Sequence, residues 1–126
     1  MENFHTRPAG SIFVFGSNLA GYHGAGAAKW ALEHEGAVRY VGEGCSGDSY
    51  VIPTKDHYLR ILPLDSIQKY VHEFIQHARF LPDKKFYVRR IGCGLAGYTD
   101  AAIAPLFAGA PGNCYLPEGW REMHVH

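Results

Sequence analysis

The chain has 126 residues, with 12 basic and 12 acidic side chains, eight histidines and a formal net charge of zero. That length predicts one domain around one core, and 47% apolar residues exclude a disordered chain. Zero net charge excludes a protein that holds nucleic acid or an anionic membrane by bulk charge, though not a local pocket that takes a phosphate through backbone groups.

The apolar run SIFVF, residues 11–15, predicts a buried strand that ends at Gly16. The Ala-rich stretch after it predicts a helix from Gly24 or Ala25 to Glu35, stopped by Gly36. Tyr40 and Val41 suggest a short strand ahead of the glycine cluster GEGCSGD, and SYVIP, residues 49–53, predicts a strand ended by its proline. Over 65–79, Ile67, Tyr70, Val71, Phe74, Ile75 and Ala78 recur at helical spacing, with Asp65 and Gln68 in a capping-box pattern and Pro82 as the stop. FYVRRI, residues 86–91, reads as a strand, AAIAPLF as a short helix capped by Thr99 or Asp100, and residues 113–116 as a last strand. The alternation predicts an α/β fold: a mostly parallel or mixed sheet with helices on both faces, a single domain over 1–126. Its expected core contains Ile12, Val14, Val51, Ile67, Val71, Phe74, Val88 and Ile91.

In such a sheet, ligands bind beyond the carboxyl ends of the strands. Both long glycine clusters fall there: GSNLAGYHGAGAA, residues 16–28, and IGCGLAGY, residues 91–98. Glycine lets a backbone approach closely, and the free amides of a helix start or a glycine nest meet an anion. The first cluster has neither P-loop nor dinucleotide-fingerprint spacing, and each cluster alone is equally readable as a packed turn. Together, on neighbouring strands, they suit a diphosphate. Lys55, in PTKD at the end of the middle strand, can point into the same crevice, as a phosphate partner or a nucleophile; the alternative is a surface lysine in a turn.

The blocks FVFGSNLAGYHGAGAAKWALEHEGA, SYVIPTKD and RRIGCGLAGY occur in the order found in macro domains, the ADP-ribose-binding α/β modules, and the chain resembles that family over residues 12–116. The second and third blocks are particularly similar to the terminal ADP-ribose protein glycohydrolase branch, and the whole is similar to compact macro-like proteins of phages and prophages. The resemblance implies a three-layer α/β/α fold and a site for ADP-ribose or a related nucleotide. Gly16, Asn18, Leu19, Gly21, His23, Gly24, Ala25 and Gly26 would form the first ligand loop, with Asn18 near the distal ribose. Gly92, Cys93, Gly94, Leu95, Ala96, Gly97 and Tyr98 would wrap the diphosphate. Lys55, with Asn18, would be catalytic: the branch's lysine attacks the anomeric carbon of the distal ribose. Ala96 stands where that branch has an aspartate, and the nearest acids are Asp56 and Asp100. No counterpart of the family's upstream adenine-holding aspartate is seen. Three functions remain open: a hydrolase acting on ADP-ribosylated macromolecules or a small derivative, a binder that sequesters an NAD-derived nucleotide, and an assembly protein whose glycine loops are turns.

No cofactor and no metal site are expected. His124 and His126 in MHVH lack a third ligand, and a frayed tail accounts for them. Cys93 could be acidified by helix-start amides, although packing explains it as well. Arg89 and Arg90 read as cover for a sheet edge or helix rather than a nucleic-acid contact. Three unpaired cysteines (Cys45, Cys93, Cys114), no signal-peptide pattern in MENFHTRPAGS, and no apolar run near the ~20 residues of a membrane span predict a cytoplasmic protein with no membrane partner.

Overall fold

The computed structural model describes residues 7–94 and 96–123; Leu95, His124 and His126 lie outside them. The chain runs β1 (Ile12–Asn18), α1 (Gly26–His34), β2 (Gly44–Ser46), β3 (Ser49–Lys55), α2 (Leu64–Phe80), β4 (Phe86–Val88), α3 (Asp100–Ile103) and β5 (Cys114–Tyr115), with 3₁₀ turns at Ala104–Phe107 and Trp120–Glu122. The five strands form one sheet in the order β2-β3-β1-β4-β5, and only β2 runs antiparallel to its neighbour. The fold is α/β with helices on both faces, as the alternation predicts. No helix among the described residues is long and apolar enough to cross a membrane.

Strand alternation sorts the core into two layers. Phe13, Phe15, Val51 and Tyr87 face Ala28 and Ala31 of α1, whose small side chains let that helix lie close. Val14, Tyr50, Ile52, Phe86 and Val88 face α2 through Ile67, Val71, Phe74, Ile75 and Ala78, with Ile103, Phe107 and Trp120 closing that layer. Ile12 is only half-buried against it; the other expected core residues are buried.

Several local readings need correction. Residues 40–41 form no strand: Tyr40 has φ 70°, and the strand before β3 is instead the three-residue β2 inside the glycine cluster. Pairing with β3 creates it, which no local periodicity announces. Proline does not end β3 at residue 53, since the strand runs on to Lys55. The β1–β3 register slips opposite Pro53, between Ser17↔Pro53 and Asn18↔Lys55, so the amide that proline lacks falls at an irregularity. The Asp65–Gln68 capping box does not form. Pro63 occupies the cap position of α2, and the Asp65 carboxylate takes the Ser66 amide at 2.9 Å. β4 stops at Val88, so Arg89 and Arg90 belong to the loop beyond the sheet. Of the two cap candidates for α3, Thr99 takes the role, accepting from the Ala102 amide at 3.2 Å.

β1 leads through α1 to β3 on one side, and β3 leads through α2 to β4 on the other. The chain thus reverses its direction of winding at the β1–β4 pair, which is where doubly wound sheets open a crevice at their carboxyl ends.

Candidate functional site

A cleft of about 440 Å³ opens at that reversal, bounded by the ends of β1, β3 and β4 and the start of α1. Both glycine clusters reach it. A Cβ on Gly16 would come within 3.3 Å of Ile91 Cβ and 3.5 Å of the Gly92 amide nitrogen, so the two loops touch at its base. Of the expected ligand residues, Gly16, Asn18, Gly24, Ala25, Gly26, Lys55, Gly92, Gly94 and Ala96 line it. Register places Lys55 directly beside Asn18. The Asn18 side-chain oxygen accepts the Tyr22 amide at 3.0 Å, which fixes the turn and leaves the side-chain NH₂ for a ligand. No side chain caps the start of α1, so its first amides present the positive end of the helix to the cleft.

Leu19, Gly21, His23, Cys93, Gly97 and Tyr98 do not line the cleft. The Gly21 backbone packs directly on Tyr40 and Val41. The Tyr98 hydroxyl donates to the Leu62 carbonyl at 2.7 Å, and its ring packs on the α2 layer. The Cys93 thiol donates to Asp100 at 3.6 Å, and burial, with Asp100 beside it, pushes its pKa up to about 11, the opposite of the acidification that helix-start amides would give.

His23 is a strut of the loop. Its side chain is 1% exposed, with Nε2 3.0 Å from the Val38 carbonyl and Nδ1 2.8 Å from Ser17 Oγ. A carbonyl only accepts, so Nε2 carries the proton and the serine donates to Nδ1. Burial holds the imidazole below its ordinary pKa of 6.5. An unfolded chain then binds the proton more readily than the folded one, so His23 costs stability as pH falls below about 6.5. Urea midpoints between pH 7.5 and 5 should decline with falling pH in the wild type and flatten in His23→Gln. Parallel curves for the two proteins would exclude this role.

The nearest acids are both committed elsewhere. Asp56 accepts from the amides of Tyr58 and Arg60 and from the Arg60 side chain at 2.8–2.9 Å, and these bonds, the Arg60 amide foremost, hold its carboxyl below the usual range. Asp100 pairs with Arg90 through two bonds of 2.8 and 2.9 Å and accepts Trp120 Nε1 at 2.9 Å; Arg90 first, then Trp120, hold its carboxyl low.

Sequence reasoning missed part of the lining. Tyr22 and Leu59 form apolar lips, Thr54 closes the floor with its hydroxyl on the Ser17 carbonyl at 3.2 Å, and Arg89 and Arg90 border the cleft, the Arg90 guanidinium already paired with Asp100. Arg89 reaches over the Phe13 ring, 5.9 Å from its centre. Two arginines directly beyond a strand at the reversal point were the available signal; they look like edge cover only while the strand is drawn to residue 91. The described lining therefore holds Lys55, Arg89 and Arg90 and no carboxylate, with the Arg90 charge met by Asp100 outside it. Among the described residues no group of His, Cys, Asp and Glu is arranged to hold a metal.

Comparisons with protein-family models, with curated proteins and with solved structures give no match.

Proposed function

We propose that the cleft binds ADP-ribose or a related nucleoside diphosphate, as a macro domain-like module, and holds it without turnover. One observation carries the reading: the two glycine loops and the uncapped start of α1 meet at a cleft lined by Lys55 and by no described acid. A diphosphate fits this field, because the anion meets backbone amides and the Lys55 ammonium at once. The same observation weighs against hydrolysis. Cleaving a glycosidic bond needs a proton donor or acceptor at the reacting atoms; Ala96 lines the cleft, while Asp56 and Asp100 are held in other bonds. A second reading, displacement at an anomeric carbon by the Lys55 amine, is favoured by the pairing of Lys55 with Asn18 at the lip.

Calorimetric titration tests binding. ADP-ribose should give saturable heat with the wild type, and Gly94→Glu should weaken it at least about tenfold by setting a carboxylate among the phosphates. Gly94 suits the test because a Cβ there meets nothing within 4 Å. No heat with millimolar ADP-ribose sinks this ligand. Incubation with an ADP-ribosylated protein separates the two readings: recovery of intact substrate supports the binder, and product release that Lys55→Ala abolishes establishes the hydrolase.

A further inference from the structure

The opposite end of the sheet holds a second cavity, of about 560 Å³, at the amino ends of β1 and β3. Cys45, exposed, stands in the middle of β2 directly across from Tyr50. His77 reaches the same place from the last turn of α2, where helix carbonyls favour a cation. Its ring lies against Tyr50 at 5.0 Å and meets Phe86 edge-on at 5.7 Å, so two aromatic neighbours orient it. Its Nε2 is 3.7 Å from Cys45 Sγ, within hydrogen-bonding reach for sulfur. A nucleophile and a base are thus in contact at the wall of a cavity.

The other two cysteines differ. Cys114 is buried, which pushes its thiol up to about 11, and Cys93 is pushed to about 11 too, by burial first and then by Asp100. The remaining charged or titratable groups around the pair are His34 and Glu35 from α1 and its end, Asp48 from the β2–β3 turn, Lys84 ahead of β4, and Glu43 before β2 and Glu73 of α2 on the Tyr50 side. Glu35 is occupied by Arg7 at 2.8 Å and by Trp30 Nε1 at 3.1 Å, whereas Lys84 and His34 suit the carboxylates of a small peptide.

We propose that Cys45 is a reactive thiol activated by His77, and that the cavity admits a low-molecular-weight disulfide with which it forms a mixed disulfide. The Cys45 proton passes to His77 Nε2, and the thiolate attacks one sulfur of the incoming disulfide. A Cys45 S–S bond forms, the old S–S bond breaks, and the departing thiolate keeps the electron pair and takes the proton from His77. Cys45 is oxidised and half of the incoming disulfide is reduced. The step is independent of what the distant cleft binds.

Two probes test it on the intact folded chain, 5,5′-dithiobis(2-nitrobenzoate) and oxidised glutathione. At pH 7 one thiol per chain should react rapidly with the first, and mass mapping after the second should place a single adduct on Cys45. Cys45→Ser should remove the fast phase. His77→Gln, and His77→Phe, which keeps a ring against Tyr50, should each slow it at least about tenfold at pH 7. At pH 9, where hydroxide in solution can take the proton in place of His77, the variant and wild-type rates should converge. A wild-type rate at pH 7 in both His77 variants overturns the proposal, as does an adduct on Cys93 or Cys114, or none with glutathione.

Discussion

Replacing Gly21 by alanine should destabilise the protein by about 2–5 kcal/mol and weaken the ADP-ribose binding proposed for the cleft. Gly21 has φ +72°, a conformation that costs an L-residue about 1–2 kcal/mol. A Cβ there would also overlap the backbone of Tyr40 and Val41, and overpacking of this kind typically costs about 1–3 kcal/mol. The contact is doubled, because a Cβ on Gly42 would overlap the backbone of Leu19, and Tyr40 donates its amide to the Gly21 carbonyl at 2.9 Å. The two segments are laced backbone to backbone, with His23 bridging to Val38 beside them. Urea unfolding of Gly21→Ala, Gly42→Ala and Gly94→Ala reads this out. The first two should lose most of the margin, while Gly94→Ala should stay within about 0.5 kcal/mol. A Gly21→Ala protein of wild-type stability would overturn the close packing of these two segments.

Phe74→Ala should cost about 3–5 kcal/mol, a large part of the roughly 5–15 kcal/mol that holds a domain together. Phe74 is fully buried, and its ring meets Tyr50 at 5.1 Å, Phe86 at 5.5 Å and Phe107 at 6.3 Å. It therefore joins α2, β3, β4 and the turn after α3, and three rigid rings cannot all collapse into the space it leaves. Chemical denaturation should show the midpoint in urea falling by more than about 1 M. Phe80, on the same helix but 82% exposed, provides the control: Phe80→Ala should move the midpoint little. Equal effects of the two substitutions would contradict the packing described for α2.

What the sequence revealed follows from the range of each interaction. α2 was legible because its apolar residues repeat at helical spacing over 17 residues, and β1, β3 and β4 because apolar runs buried on both faces need no partner to be noticed. β2 was illegible: Gly44, Cys45 and Ser46 have little strand preference, and only the edge of β3 makes them one. Tyr40 misled for the converse reason, since a strand-prone residue is held at φ 70° beside Gly21. In the cleft, the glycine loops marked the place but not the duties within it. Spacing cannot tell Gly16, which lets two strand ends meet, from Gly21, which lets two loops meet. Nor does it reveal that His23 turns inward while Tyr22, its neighbour, lines the opening.

The proportions of the sheet bear on how any partner can be met. Seven-residue β1 lies inside, while the outer positions belong to β2 with three residues and β5 with two. Beyond β2, the open side of β3 is covered by an antiparallel bridge from Ile61 to Lys55 and by the Leu62 amide on the Thr54 carbonyl at 2.9 Å. At the far side, Pro111 and Pro117 bracket β5, so an extended segment cannot lengthen it through backbone pairing. Among the described residues, these two- and three-residue margins offer only a short row of amides and carbonyls on which strands of other molecules could template themselves. Concentrated solutions should accordingly resist fibril seeding, and a peptide ligand gains more from side chains or a cavity than from adding a sixth strand.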